Sequence, residues 1–121
     1  MNIAIICSVR GAEQEYIDRL YKYVEGLEYL GNHVHFPHRD NDQEGRGIEI
    51  CRQNAEGIAG ADEVHVFYNP DSQGTHFDMG MAFVLGKKVL VMESIPLTEG
   101  KSFQRMLVEW EEEGGKAIYT K

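Results

Sequence analysis

Residues 2–11 read Asn-Ile-Ala-Ile-Ile-Cys-Ser-Val-Arg-Gly, and their pattern is the clearest indication of the fold. Residues 3–7 are almost wholly apolar, which is typical of a strand buried on both faces of a parallel sheet. Residues 8–11 break that strand with a serine, an arginine and a glycine. From about residue 12 to residue 30 the apolar residues recur at helical spacing. The stretch therefore predicts a buried strand, a polar turn and a helix in succession.

The same alternation continues along the chain. Further strands are predicted at residues 33–36, 63–68, 88–92 and 117–119. Further helices are predicted at about residues 48–59, 75–85 and 102–113. The order βαβαβαβαβ predicts an α/β fold, with a doubly wound sheet of five parallel strands and helices on both faces.

Turn signals separate these elements. Gly31 and Asn32 are typical of the left-handed cap that ends a helix. Residues 37–47 are predicted to form a polar loop, and residues 69–74 a turn-rich loop. In doubly wound sheets the ligand lies beyond the carboxyl ends of the strands. We therefore expect residues 8–11, 37–47 and 69–74 to converge on one crevice.

Composition limits the classes of partner. The chain has 121 residues, of which 42% are hydrophobic and 26% charged, so we expect one globular domain over residues 1–121. Its net charge of -8 disfavours nucleic acid and anionic membrane as partners, because both require clustered Lys and Arg. The charge is compatible with a small phosphorylated ligand held in one local positive site.

The chain also lacks the usual targeting signals. Its first residues show no basic segment followed by a long apolar run, and no apolar run approaches the roughly 20 residues of a membrane span. The two cysteines, Cys7 and Cys51, fall in apolar or mixed segments and are expected to be free thiols. These features predict a cytoplasmic protein.

Ser8, Arg10 and Gly11 form the first candidate site. A helix that begins after a strand offers unpaired N–H groups, Arg10 adds a planar cation suited to phosphate, and Gly11 permits a close backbone approach. An ordinary turn, with Ser8 capping the helix, is an equally good interpretation. The motif is neither a Walker loop nor a dinucleotide fingerprint.

Asp78 is the second candidate. Ser72 and Thr75 could cap the helix that follows them, and Asp78 would then lie about one turn into it. A carboxylate there could act as a nucleophile or as an acid or base, with a pKa set by burial. The alternative is a carboxylate that only stabilises the positive end of the helix dipole.

These segments resemble the nucleoside 2-deoxyribosyltransferase family. The resemblance rests on Ala-Asp-Glu-Val at residues 61–64, Ser72, Gly74, Asp-Met-Gly-Met-Ala at residues 78–82 and Gly-Lys-Lys-Val at residues 86–89. Cys-Ser-Val-Arg-Gly at residues 7–11 resembles the opening of its 2'-deoxynucleoside 5'-phosphate N-hydrolase branch. The resemblance implies a flavodoxin-like sheet, a homodimer and cleavage of an N-glycosidic bond.

The resemblance also implies roles for single residues. Asp78 stands where the family has its nucleophilic glutamate, and Asn54 stands where many members have an aspartate near the sugar. His38 falls in the loop that usually meets the base. The 5'-phosphate is implied to lie against Ser8, Arg10, Gly11 and Ser72, with Gly74 also in the substrate site.

The resemblance thus implies that the chain hydrolyses the N-glycosidic bond of a nucleoside 5'-monophosphate. Asp78 is one methylene shorter than glutamate, and Asn54 is a neutral amide. A non-catalytic nucleotide-binding module and a nucleoside deoxyribosyltransferase therefore remain alternatives, and a flavin or redox protein is a weaker one. By location, His38, His76 and Asp40 are candidates to protonate the departing base.

No cofactor or metal is expected. The sequence carries no residue pattern specific to a cofactor. The five histidines show neither the HExxH pattern nor a Cys-His spacing of zinc sites. We expect His33 and His35 on one strand face, and His65 hydrogen-bonded in the core.

Overall fold

The computed structural model describes residues 1–93 and 95–116. Within these residues four parallel strands form one sheet in the order β2-β1-β3-β4. The strands are β1 (Asn2–Ile6), β2 (His33–His35), β3 (Glu63–Val66) and β4 (Lys88–Val91). The predicted fifth strand, at residues 117–119, lies outside the described residues. The described sheet therefore has four strands where the sequence predicted five.

Five helices connect or follow these strands in the described part of the chain. They are α1 (Gln14–Tyr29), α2 (Pro37–Asp40), α3 (Gly47–Ala59), α4 (Gln73–Val84) and α5 (Phe103–Glu113). None of the described helices has the length and apolar character needed to cross a membrane.

The short helix α2 corrects the prediction of a polar loop at residues 37–47. Pro37 occupies its first turn, where the missing N–H costs no hydrogen bond and the fixed φ suits a helix. Asp40 N–H closes the turn on Phe36 O at 2.8 Å. A single helical turn of polar residues leaves no apolar periodicity in the sequence, so the prediction missed it.

The alternation of β1 divides the core into two layers. Ile3 and Ile5 pack on one face with Leu20 and Val24 of α1. Ala4 and Ile6 point to the other face, where they meet residues of three helices: Ile58 of α3, Met79 and Ala82 of α4, and Leu107 and Trp110 of α5. The sheet is therefore covered by helices on both faces, which confirms this part of the prediction.

The end of α1 shows the predicted glycine cap. Gly31 has φ +95°, a conformation that favours glycine. Its N–H donates to Glu28 O at 2.9 Å, and Asn32 N–H donates to Leu27 O at 3.2 Å. This pair of bonds is the Schellman motif, and it turns the chain directly into β2.

The strand order places a switch point between β1 and β3. The chain leaves β1 for β2 on one side, and β3 pairs on the other side, so the loops beyond these two strands diverge and leave a crevice. Residues 7–13 follow β1, and residues 67–72 follow β3. The segments singled out in the sequence thus lie at the carboxyl edge of adjacent strands.

Gly57 of α3 provides a test of the packing between α3 and β2. A Cβ at this position would lie 2.4 Å from the ring of His35. We therefore expect Gly57→Ala to lower the free energy of unfolding by about 1–3 kcal/mol, measured by urea denaturation.

Gly26 of α1 is the matched control, because nothing lies within 4 Å of its would-be Cβ. Gly26→Ala is expected to stabilise the protein by about 0.5–1 kcal/mol through helix propensity alone. Equal effects of the two substitutions would contradict the described packing.

Candidate active site

A cavity of about 490 Å³ opens at the carboxyl edge of β1 and β3. Most of the residues singled out in the sequence line it: Ser8, Arg10, Asn54, Ser72, Gly74 and Asp78. Its other lining residues are Cys7, Val9, Pro37, Asn41, Gln43, Ile50, Asn69, Asp71 and Gln73. The loops after the first three strands therefore contribute to one cavity, as the topology predicted.

Asp78 is the buried carboxylate of this cavity. It is the sixth residue of α4, beyond the first turn, and shares the buried stripe of that helix with Thr75, Met79 and Ala82. Its exposed fraction is 6%. Burial raises the pKa of the Asp78 carboxyl to about 6, and the hydrogen bond from Asn54 partly offsets this increase. The interpretation of Asp78 as a first-turn dipole partner is therefore wrong.

Asn54 of α3 supplies the polar contact to this carboxylate. Its Nδ2 donates to Asp78 Oδ2 at 3.3 Å. Its Oδ1 accepts from Asn41 Nδ2 at 2.6 Å and from His35 Nε2 at 3.4 Å. The side chain of Asn54 thus has a fixed direction, with its N–H aimed at Asp78.

The two serines of the cavity are prepared to donate. Ser8 Oγ accepts from Asn69 Nδ2 at 2.9 Å, and Ser72 Oγ accepts from Thr75 N–H at 3.1 Å, which caps α4. Each hydroxyl accepts within the protein, so its own O–H can donate to a ligand oxygen. Ser8 does not cap α1, since the residue that precedes that helix is Glu13. The capping alternative for Ser8 is therefore wrong.

Two groups that attract anions, the Arg10 guanidinium and the N-terminus of α4, lie near these serines. The Arg10 guanidinium is exposed and makes no hydrogen bond to any other described residue, so it is available to an anion. Gly74 lies in the first turn of α4, where backbone N–H groups lack helical partners and the helix dipole favours negative charge. Serine hydroxyls, a guanidinium and a helix N-terminus together suit a phosphate group.

Gly11 lies just outside this cavity. Its φ of +67° explains the glycine, and it lines an adjoining cavity of about 390 Å³ that shares Ser8, Arg10 and Asn69 with the first. No atom lies within 4 Å of its would-be Cβ. The structure therefore relates Gly11 to the shape of the turn.

The three candidates for protonating a base do not line the Asp78 cavity. His38 Nε2 donates to Ser8 O at 2.9 Å, and Asp40 accepts from Arg39 and from Phe36 N–H. His76 Nδ1 donates to Ser72 O at 2.7 Å, so its Nε2 accepts from Tyr68 O–H, also at 2.7 Å. His38 and His76 therefore bind backbone carbonyls of the lining residues Ser8 and Ser72 without lining the cavity themselves.

Five polar lining residues were not named as site residues from the sequence, and three of them contribute directly to the site. Asn69 holds Ser8, Asn41 holds Asn54, and Asp71 brings a second carboxylate to the lining. Asn69 and Asp71 lie in the loop after β3, whose place beyond a strand end was the available signal. Asn41 follows the unpredicted helix α2, and no sequence pattern marks it.

The histidines of the sheet have ordinary partners. His65 is buried, as predicted, between Tyr23 Oη at 2.6 Å and Glu63 Oε1 at 3.1 Å. His33 is exposed and His35 half-buried, on one side of β2. Across residues 1–93 and 95–116, no group of three His, Cys, Asp or Glu side chains is arranged to hold a metal ion.

A cavity of about 540 Å³ beside the edge strand β2 is less suited to a ligand. Three of its four charged side chains, Glu28, Arg39 and Asp40, are already paired with one another. Arg39 donates to Glu28 at 2.7 Å, to Asp40 at 2.8 Å and to Val34 O at 3.1 Å. The Arg39 guanidinium is therefore engaged within the protein, unlike that of Arg10 in the cavity of Asp78.

No protein-family model matches this chain, and no curated protein matches it. Among solved structures, the fold is similar to that of the CMP N-glycosidase BcmB of Clostridium botulinum. The TM-score is 0.64 at 20% sequence identity, over 88% of this chain and 81% of that chain. A 2-deoxyribosyltransferase of Bacillus psychrosaccharolyticus is also similar, with a TM-score of 0.59 at 23% identity, over 74% and 69% of the two chains. The chain thus has the fold that the sequence resemblance implied.

The buried carboxylate makes stability depend on pH. The Asp78 pKa is raised from 3.8 to about 6 on folding, so the folded chain binds this proton more tightly than the unfolded chain. The cost of ionisation is absent below pH 4 and reaches about 3 kcal/mol above pH 6. We therefore expect Asp78→Asn, which can still accept from Asn54, to stabilise the protein increasingly from pH 4 to pH 8 in urea denaturation.

The exposed Asp18 of α1 provides the control for this experiment. Asp18→Asn removes one carboxylate without relieving a buried charge, and its effect should change little over the same pH range. A gain from Asp78→Asn that is independent of pH would show that Asp78 carries no burial penalty.

Proposed function

We propose that this chain is an N-glycosyl enzyme of the nucleoside 2-deoxyribosyltransferase type. It hydrolyses the N-glycosidic bond of a nucleoside 5'-monophosphate, and Asp78 is the nucleophile. The observation that carries the proposal is the shared cavity, in which one buried carboxylate lies with a set of phosphate-type donors. The structural likeness to a CMP N-glycosidase and to a 2-deoxyribosyltransferase supports the same class of reaction.

The two ends of the cavity suit the phosphate and the sugar of a nucleotide. Ser8, Arg10 and Ser72 offer hydroxyl and guanidinium donors to a 5'-phosphate, beside the N-terminus of α4. Asp78 and Asn54 lie where α3 meets α4, and they would face the sugar. Binding energy from the phosphate can then hold the anomeric carbon close to the carboxylate.

The proposed reaction is a double displacement. An oxygen of Asp78 attacks C1' as the C1'–N bond breaks, and the bonding electrons leave with the base, which takes up a proton. Water then attacks C1' of the glycosyl ester, so the sugar phosphate is released and the carboxylate is regenerated. Asp71 is the second carboxylate of the cavity and would accept a proton from this water.

A non-catalytic nucleotide-binding module is the second candidate. The observation that favours it is the position of His38, His76 and Asp40, all of which lie outside the cavity lining. A binding module would give a ligand-dependent rise in Tm without turnover. A deoxyribosyltransferase is the third candidate, and it would transfer the sugar to an added free base in place of water.

We also propose that the protein is a homodimer through the outer side of α4. That helix packs Met79 and Ala82 into the core beside Asp78, yet it also exposes large apolar side chains on its outer side, where an ordinary surface helix is polar. Phe77 is 56% exposed, and Val84 and Leu85 are each 47% exposed. A second copy would cover this apolar face, as the family resemblance implies.

The activity is tested with a panel of nucleoside and deoxynucleoside 5'-monophosphates, by chromatographic detection of the free base. We expect base release from at least one nucleotide, and a loss of about a thousandfold or more in kcat with Asp78→Asn. The variant should still bind nucleotide, since the phosphate contacts remain. Absence of base release from every nucleotide at high protein concentration would contradict the proposal.

The phosphate end is tested in the same assay. Arg10→Gln removes an exposed guanidinium from the cavity, so kcat/KM for the monophosphate should fall by about 10–100-fold, as expected for a charged hydrogen bond. Hydrolysis of the corresponding nucleoside should change little. Arg46 of the α3 N-terminus is exposed and paired with Glu49, and Arg46→Gln is the matched control.

The dimer is tested by sedimentation. Val84→Glu places a charge in the apolar face of α4 and should convert a wild-type dimer into a monomer. Leu30 is 77% exposed at the end of α1, and Leu30→Glu should leave the dimer intact. A monomeric wild-type protein at tens of micromolar would contradict this proposal.

A further inference from the structure

Asn41 is a cavity residue whose side-chain amide has a hydrogen-bond partner for its nitrogen and none for its oxygen among the described residues. It is 8% exposed, and its Nδ2 makes the 2.6 Å bond to Asn54 Oδ1. Its own Oδ1 is buried and has no hydrogen-bond partner within residues 1–93 and 95–116. A buried carbonyl oxygen without a partner is unfavourable and does nothing to hold the side chain. The bond from Nδ2 to Asn54 is therefore the contact that fixes the amide of Asn41.

The amide of Asn54 can satisfy both neighbours in one orientation. Its Oδ1 faces the donating Nδ2 of Asn41, and its Nδ2 faces the accepting Oδ2 of Asp78. If this amide turned over, its oxygen would face the carboxylate and its N–H would face the N–H of Asn41. Both contacts would then be repulsive, so the two bonds support each other.

We propose that Asn41 is a positioning residue for Asp78: its Nδ2 holds Asn54 in the orientation that directs an N–H to the Asp78 carboxylate. Asn41 ends the short helix α2 and thereby connects the segment after β2 to the buried stripe of α4. The assignment deepens the proposed function, on which its kinetic readout rests.

The effect of Asn41 is electrostatic. A donor aimed at the carboxylate favours its ionised form and lowers its pKa, against the burial that raises it. The other titratable or charged groups around Asp78 are the Cys7 thiol and, on the cavity wall, Arg10 and Asp71. His35 contacts Asn54 from the side of β2. The His35 contact to Asn54 Oδ1 is long, at 3.4 Å, so the 2.6 Å bond from Asn41 is the stronger of the two contacts that direct Asn54.

The experiment is a double-mutant cycle read out by the pKa of Asp78, from NMR titration of ¹³C-labelled aspartate carboxyls. Asn54→Ala should raise this pKa further above its ordinary value, since the carboxylate loses its donor. Asn41→Ala should raise it in the same direction by a smaller amount. In the Asn54→Ala background, Asn41→Ala should have no further effect, because the coupling passes through Asn54.

Two further variants make the result decisive. Asn41→Asp keeps the size of the side chain but can only accept, so Asn54 would turn its N–H away from Asp78. The rise in the Asp78 pKa should then exceed that of Asn41→Ala, and the part that remains in the Asn54→Ala background is the direct repulsion between the two carboxylates. Gln43 lines the same cavity and bonds Pro37 O, so Gln43→Ala is the control expected to leave the pKa unchanged.

The proposal would be overturned if Asn41→Ala left the pKa unchanged, or shifted it equally with and without Asn54. The titration needs no turnover, so it stands even if no nucleotide is cleaved. If nucleotides are cleaved, the acid limb of kcat/KM should move with the measured pKa in each variant. Asn41→Asp serves in place of Asn41→Ala if the latter fails to fold.

Discussion

The burial of one carboxylate, that of Asp78, is the constraint on which the rest of the site depends. A carboxylate with 6% exposure disfavours folding unless a donor reaches it, and Asn54 is that donor. Asn54 in turn needs Asn41, and Asn41 is placed by the turn of α2. The hydrogen bonds that lead to this buried carboxylate thereby join three segments, distant in sequence, at the carboxyl edge of the sheet.

The hydrogen-bond donors that suit a phosphate lie together in the cavity for a different reason. Residues 3–7 are apolar on both faces of the sheet, so the first polar residue after them marks the point where the chain reaches the carboxyl edge of the sheet. Ser8 occupies that point, Arg10 follows in solvent, and the N-terminus of α4 approaches from beyond β3. Donors gather here because parallel strands end at one edge, and the switch point keeps that edge open.

The elements with strong periodicity were predictable. The apolar run of β1, the helical stripe of α1 and the glycine cap at Gly31 each follow from local physical chemistry. The cavity lining was predictable where it adjoins strand ends, as at Ser8 and Ser72. Asn41 and the contact between Asn54 and Asp78 were not, because they depend on side-chain directions set by tertiary packing. The sequence left open whether Asp78 is a buried carboxylate or a partner of the helix dipole, because the choice depends on the same tertiary packing.

The central claim is that one cavity binds both the phosphate and the sugar of one nucleotide. It is tested most directly by a crystal structure of Asp78→Asn, which cannot form the glycosyl ester, with a nucleoside 5'-monophosphate bound. The phosphate should lie against Ser8, Arg10 and the start of α4, and C1' should lie about 3–3.5 Å from the side chain at position 78. A nucleotide bound in another cavity, or in this one with its phosphate beside Asn54, would contradict the account.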